Sequence, residues 1–329
     1  MRYKQGMTER PSPNAPWLRV VRVDYAGCMV ATDQGSIFAR SKEPTAVGDW
    51  VHISADGEPN VEHIAERRTQ VTRRDPEGRV QVLAANVDLV LVTAPADRMS
   101  LARVEREIAI GWDSGAEPVV LLTKADLDDG SHITGLRERL LGVRILSVSA
   151  PDSDGLDDVR ALLQPEHTAV LLGPSGAGKS TLVNALLERE AAETGEVRGG
   201  DHWGRHTTTS RELHVVPSGG YLIDTPGLRS LSLAVDEDAV LATYPDVASF
   251  ADDCKFRDCT HEHEPGCAVL QAVATNDLSP ERLMSYQRLL KDLDYVRRRD
   301  DPVAAAANKA LWRQRSMDVK RMYRDRDKP

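Results

Sequence analysis

The chain has 329 residues, 41% of them hydrophobic and 28% charged, with a formal net charge of −9. That length and composition belong to a soluble globular chain of two or three domains, and no apolar run approaches the ~20 residues a membrane span needs. Four cysteines are too few for a disulfide scaffold, and the polar, Pro-containing first sixteen residues (Pro11, Pro13, Pro16) lack the apolar centre of a secretory signal, so a cytoplasmic location is expected, with no membrane partner and with cysteines available for metal.

Residues 1–16 read as a disordered tail. Residues 17–85 hold short β-rich runs, Trp17–Val23, Ser36–Ala39, Asp49–Ile53 and Val61–Ile64, punctuated by Gly27, Gly35, Gly48 and Gly57. Short strands at this spacing predict a small β-barrel, OB-like among the options, with Cys28 as a packed strand residue. From residue 86 strands and helices alternate. Apolar strands at Val87–Val92, Pro118–Leu122 and Val143–Val148 are each followed by a helical pattern, near 100–111, 132–141 and 155–163. A fourth strand, Ala169–Leu172, leads into a helix from Thr181 to Leu187, and a hairpin-like pair follows at Arg211–Val216 and Tyr221–Ile223. This alternation predicts an α/β unit over 86–235 with a largely parallel sheet. Residues 236–329 turn helical and irregular. Charge is uneven: residues 87–296 carry 19 Lys/Arg against 35 Asp/Glu, and Arg297 to the end carries 11 against 5. An acidic middle argues against uniform nucleic-acid coating and leaves one local basic contact at the C-terminus.

Gly173-Pro174-Ser175-Gly176-Ala177-Gly178-Lys179-Ser180 fits G-x-x-x-x-G-K-[ST] between a strand and a helix opening at Thr181, the setting in which backbone N–H groups cradle phosphate. Lys179 is expected to reach the β- and γ-phosphates and the Ser180 hydroxyl to sit on Mg²⁺. Asp224-Thr225-Pro226-Gly227, about 45 residues beyond Lys179, ends the next strand. It brings a carboxylate toward Mg²⁺ and the Gly227 N–H toward the γ-phosphate. Thr123-Lys124-Ala125-Asp126 follows a strand where guanine-specific enzymes carry [NT]-K-x-D. A carboxylate accepting from N1–H and N2–H₂ of guanine finds no such donors on adenine, which argues against an ATPase. Threonine in place of asparagine can still bond backbone but offers fewer partners. Ser149-Ala150 ends the next strand as the turn that lends a backbone N–H to the guanine oxygen. In His206-Thr207-Thr208-Thr209, Thr208 is expected to complete Mg²⁺ coordination. Leu228 cannot orient water as glutamine does in Ras-like enzymes, which leaves His206 as candidate base or orienter; a loop histidine without a chemical role is the alternative. The guanine-reading motifs precede the phosphate loop, so the domain is circularly permuted and its second switch leads directly into the C-terminal region.

Cys254-x4-Cys259-x-His261-x5-Cys267 supplies three thiolates and one imidazole within fourteen positions, a closed tetrahedral set suited to one structural Zn²⁺. His263 and His202 compete as ligands, but spacing favours His261.

Taken in order, T-K-x-D, S-A, G-P-S-G-x-G-K-S, H-T-T-T, D-T-P-G and C-x4-C-x-H-x5-C resemble the RsgA (YjeQ) family of circularly permuted GTPases. Arg73-Arg74-Asp75-Pro76, Gln81–Asp88 and Cys254–Val269 strengthen the resemblance. It implies a multidomain chain with an OB barrel at 17–85, a permuted GTPase at 86–235 and a zinc-binding helical domain at 236–329. It further implies binding to the small (30S) ribosomal subunit late in its maturation and hydrolysis of GTP to GDP in response. The barrel and the basic tail (Lys309, Trp312, Arg313, Lys320, Arg321) become expected rRNA contacts, and a monomer is expected. A GTP-gated rRNA-binding module in which hydrolysis is incidental is the competing reading.

Overall fold

The computed structural model describes residues 17–24, 26–54, 57–74, 79–188, 211–224 and 235–300. Five strands come first: β1 (Leu18–Asp24), β2 (Gly27–Thr32), β3 (Gly35–Arg40), β4 (Trp50–Ile53) and β5 (Val61–Ile64). β1 pairs with both β2 and β4, β2 pairs with β3, and β4 pairs with β5. A bridge between Arg40 and Asn60, with the Arg40 N–H bonded to the Pro59 carbonyl at 3.0 Å, joins β3 to the start of β5 and completes a ring. Inside it lie Val20, Cys28, Val30 and Val51, all fully buried, with Leu18, Ile53, Val61 and Ile64 around them. Closure leaves few free sheet edges, which a core this small could not protect by bulk.

Next come β6 (Gln70–Arg74) and β7 (Val80–Ala85), a hairpin that forms its own two-stranded sheet. It is anchored by the Gln70 N–H on the Ser114 carbonyl (3.0 Å) and the Ala85 N–H on the Val47 carbonyl (2.9 Å), while the Asn86 N–H on the Thr69 carbonyl (2.8 Å) closes its open end. The sequence pattern did not separate this hairpin from the barrel strands.

The α/β unit follows: β8 (Leu89–Pro95), α1 (Leu101–Asp113), β9 (Glu117–Thr123), α2 (Ser131–Arg139), β10 (Arg144–Val148), α3 (Leu156–Leu162), β11 (Thr168–Leu172), α4 (Lys179–Leu186), β12 (Glu212–Val215) and β13 (Tyr221–Asp224). Spatial order is β10-β9-β8-β11-β13-β12, with every pairing parallel except that of β12 with β13. Alternate residues of the central strands face opposite sides. Val90, Val92, Val170 and Leu172 join one buried cluster, and Leu89, Leu91, Ala169 and Leu171 join the other. Both faces are covered, as a parallel sheet requires. β11 lies at the switch point of the order: strands earlier in the chain flank it on one side and later ones on the other. Ligand crevices open at such points, beyond the C-terminal strand ends. Edge strand β12 pairs with β1 at Glu212 and Arg22, so one sheet runs on into the ring.

Helices α5 (Glu237–Thr243), α6 (Pro245–Ala251), α7 (Ala268–Ala274) and α8 (Pro280–Asp300) complete the described chain. α5 and α8 pack on α1, with α6 and α7 behind them, so amphipathic α1 sits between the sheet and this helical unit. The joint is polar at its centre. Arg282 of α8 donates to Asp246 (2.8 Å), Glu105 of α1 (3.2 Å) and the Thr243 carbonyl (3.0 Å), and its guanidinium lies 4.1 Å from the Tyr244 ring centre. Arg282 and Glu105 are only 7% and 3% exposed in their side chains. Burial pushes the Glu105 carboxyl up, and Arg282 opposes that shift. Removing one member of a buried pair strands the other charge, which costs about 3–5 kcal/mol. Arg282→Ala is therefore expected to lower unfolding free energy by about 3 kcal/mol or more in urea denaturation. Arg40→Ala, which breaks the exposed pair with Glu58, should cost under about 1 kcal/mol.

Candidate nucleotide site and metal centre

The expected nucleotide motifs converge on one edge of the sheet. Val148, Thr123, Pro95, Leu172 and Asp224 end neighbouring strands; the register puts Val148, Thr123 and Pro95 level, with Leu172 opposite Val92 and Ile223 opposite Val170 set back from them. The loop 173–178 leaves β11 through three glycines with positive φ: Gly173 at 142°, Gly176 at 73° and Gly178 at 83°. A Cβ on Gly173 would lie 1.8 Å from the Thr93 hydroxyl oxygen, so only glycine fits against β8.

The loop's carbonyls are held by side-chain donors. Lys179 Nζ donates to the Gly173 and Pro174 carbonyls at 2.8 and 2.7 Å. Thr123 Oγ1 donates to the Ala177 carbonyl at 2.7 Å. That bond answers the question raised by threonine at this position. A short hydroxyl still ties the T-K-x-D strand end to the phosphate loop, and Thr123 is buried. Ser180 and Thr181 follow, exposed, at the N-terminus of α4, where free N–H groups and the helix dipole favour an anion.

On the other side of the loop, Asp126 lies in a short 3-10 turn after Lys124, whose φ is 56°. Its Oδ1 is 2.9 Å from the hydroxyl of Ser149. Asp152 lies 2.5 Å from the same hydroxyl. With one proton to give, Ser149 serves one carboxylate at a time. The turn through Ala150 is set by paired backbone bonds between Ser149 and Asp154 (3.0 and 3.1 Å). Lys124 Nζ is 2.7 Å from Asp97, and the ammonium holds that carboxyl below the usual range. His206, Thr208, Gly227 and Leu228, the remaining expected site residues, lie outside the described residues, as do His202 and the basic tail. Asp224 is described, at the end of β13.

Sequence motifs missed the layer beneath. Thr93 of β8 donates through Oγ1 to the Leu172 carbonyl at 2.9 Å, directly below Gly173. Arg103 of α1 reaches the Thr93 carbonyl (3.4 Å) and pairs with Glu107 one turn on (3.0 Å). Burial pushes the Glu107 carboxyl up to about 7, against the opposing charges of Arg103 and Lys179. Asp97 and Arg98, on the turn after β8, were missed too. Their location past a C-terminal strand end was the available signal.

The four expected metal ligands also converge. Cys254, Cys259, His261 and Cys267 place one ligand atom each within 4.8 Å of all the others. Cys254 Sγ lies 3.8 Å from Cys267 Sγ and 3.6 Å from His261 Nδ1, and His261 Nδ1 lies 3.4 Å from Cys267 Sγ. A tetrahedron with metal–sulfur bonds of ~2.3 Å and a metal–nitrogen bond of ~2.0 Å has edges of about this length. The donor set therefore fits a metal ion. His263 is not part of the cluster. Burial lowers His261, favouring the neutral imidazole that ligates, and pushes the Cys259 thiol up to about 12, so a bound metal must displace its proton. Glu264 fixes the ligand loop by accepting from the Thr260 hydroxyl and from the N–H groups of Thr260 (3.0 Å), Glu262 (3.1 Å) and His263 (3.2 Å). The Gln287 amide of α8 donates to the His261 carbonyl at 2.7 Å, which joins the cluster to the helical unit.

A parallel sheet with a glycine loop at its switch point, and guanine-type motifs on strands earlier in the chain, defines a circularly permuted P-loop GTPase. A family model described as RsgA GTPase matches residues 64–234, and one described as 50S ribosome-binding GTPase matches residues 168–306. A Streptomyces coelicolor protein named small ribosomal subunit biogenesis GTPase RsgA is 41% identical over 90% of this chain and 86% of its own length. A protein of the same name from Methanosarcina acetivorans is 36% identical over 94% and 86%. The chain belongs to the RsgA GTPase family. The crystal structure of YjeQ from Thermotoga maritima superposes with a TM-score of 0.64 at 24% identity, covering 84% of this chain and 98% of that one. The structure of YloQ, described as a circularly permuted GTPase, gives the same score and identity over 87% and 98%.

Glu107 yields a pH prediction. Its pKa is raised in the folded state, so the native protein binds the proton more tightly than the unfolded chain does. Stability from this group is complete below pH ~4.5 and is lost as pH rises toward about 7. Glu107→Gln is expected to flatten the fall in melting temperature across that window; an unchanged slope would remove Glu107 as its source.

Proposed function

We propose that the protein binds the small ribosomal subunit and acts in its late maturation, hydrolysing GTP to GDP and phosphate when engaged. The observation that carries the nucleotide half is the Thr123–Ala177 bond, which supports base recognition and phosphate binding as one site. The ribosomal half rests on the names borne by relatives alike over most of their length.

In this reading Asp126 accepts from guanine N1–H and N2–H₂, with Thr123, Lys124 and Ala125 shaping its turn, and the backbone of Ser149 and Ala150 meets the guanine oxygen. Backbone N–H groups from residues 175–181 receive the phosphates. Lys179 leaves its two carbonyls for phosphate oxygens. Ser180 and Thr208 would hold Mg²⁺, which neutralises phosphate charge when bound; Asp224 would serve it from the end of β13, the Gly227 N–H would bond the γ-phosphate and His206 would orient the attacking water. Cys254, Cys259, His261 and Cys267 would hold one structural Zn²⁺, whose binding energy helps to fold a segment with little core of its own. The five-stranded ring is taken as an OB-type barrel and, with the basic tail, as the rRNA-contacting surface. The protein works as a cytoplasmic monomer.

Two measurements test this. GTP turnover is expected to rise at least tenfold on addition of purified small subunits and to stay flat with large ones. No stimulation by small subunits would overturn the ribosomal reading and favour incidental hydrolysis. Mass spectrometry of the metal content is expected to give one zinc per chain, with Cys259→Ser losing it and the helical unit melting early. A metal-free protein whose Cys259→Ser variant folds normally would overturn the zinc assignment.

A further inference from the structure

Among the described residues, one of the loop carbonyls bound by side chains is held by a residue outside every motif discussed above. Gly173 and Pro174 are taken by Lys179, and Ala177 by Thr123. The Ser175 carbonyl accepts from Arg98 Nη2 at 3.1 Å. Arg98 comes from the turn after β8, across the loop from α4. Its guanidinium lies so close to Gly176 that a Cβ there would be 2.2 Å from Nη2. Asp97 holds the group from behind, 3.8 Å from Arg98 Nε, and Asp97 is itself bonded to Lys124 at 2.7 Å.

We propose that Arg98 is a positioning residue for the phosphate site: by holding the Ser175 carbonyl outward it turns the Gly176 N–H inward, toward the nucleotide's β-phosphate. The peptide is planar and trans, so its C=O and N–H point in opposite directions. A glycine at φ 73° has little conformational preference of its own to keep that orientation. The Ala177 N–H turns back on the Pro174 carbonyl at 3.3 Å, so with the neighbouring carbonyls tied to Lys179 and Thr123, Arg98 leaves the Gly176 N–H as a loop donor for the anion. When Lys179 moves to the phosphates it releases two carbonyls, and Arg98 and Thr123 are then the side chains that keep the loop's shape. Lys124, Asp97 and Arg98 also form a chain from the base-reading turn to the loop, so the two halves of the site are linked twice.

The inference rests on reading this loop as the phosphate site, and the test separates the two. Affinities for GTP, GDP and GMP are measured on the full-length protein by fluorescence and competition, for wild type, Arg98→Ala and Arg98→Lys. A bond from an amide to a charged phosphate contributes enough that its misalignment should weaken GTP and GDP binding roughly five- to tenfold. GMP, which lacks the β-phosphate, should bind Arg98→Ala as it binds wild type. Arg98→Lys should recover most of the loss, and the ³¹P resonance of the β-phosphate in bound GDP should shift in Arg98→Ala alone. Equal weakening of all three nucleotides, or none, would overturn the role of Arg98. Should Arg98→Ala melt lower than wild type without nucleotide, Arg98→Lys decides: normal stability with normal ³¹P shift supports the proposal, and normal stability with a shifted resonance overturns it. Failure of the wild type to bind GDP better than GMP would instead overturn the phosphate-site reading itself.

Discussion

The close approach of β8 to the start of the phosphate loop governs the rest of the molecule. Thr93 is fully buried, bonds the last carbonyl of β11, and stands where a Cβ on Gly173 would have to go. β8 and β11 are spatial neighbours although about eighty residues separate them in the chain. Everything after β8 is therefore placed relative to the loop. The turn at Asp97 and Arg98 reaches its outer side, and α1 passes beneath it with Arg103 and Glu107. In an unpermuted order those segments follow the loop in the chain. Here they precede it.

α1 also explains how two dissimilar halves share one core. Its Arg103 and Glu107 face the loop, while Glu105 and Arg106 face the helical unit through Arg282 and Asp292. Asp113, at its end, accepts from the Asp236 N–H at 2.8 Å. The metal-ligand cluster reaches the same assembly through Gln287 and Tyr286 of α8. Buried ion pairs contribute little net stability against apolar substitutes, but they are intolerant of misplacement. Arg282, held by Glu105, Asp246 and the Thr243 carbonyl, ties α8 to α1, α5 and α6.

Much of this was legible in the sequence because the relevant physics is local. A glycine loop between a strand and a helix, a carboxylate two residues after a lysine at a strand end, and thiols at close spacing all declare themselves within a few positions. His261 was separable from His263 on spacing alone. What was hidden depends on distant partners. β6 and β7 have weak alternation, and their pairing with each other becomes visible only when Thr69 and Asn86 meet. Arg98 is one arginine among many until β8 lies beside β11. Nothing in the sequence sets Glu105 and Glu107 apart from other helix charges, and burial against Arg282 and Arg103 decides their behaviour. Threonine at 123 looked like a weakened asparagine, and the structure gives it the bond that matters, to Ala177.

The central claim is that base recognition and phosphate binding form one site assembled across β9, β8 and β11. A crystal structure of the protein with GDP tests it most directly. The account predicts guanine N1 and N2 within about 3 Å of the Asp126 carboxylate, the β-phosphate inside residues 173–180, and Lys179 Nζ moved from the Gly173 and Pro174 carbonyls to phosphate oxygen while Thr123 stays on Ala177. A nucleotide bound elsewhere, or one seated with Lys179 still on its own loop and Asp126 away from the base, would contradict it.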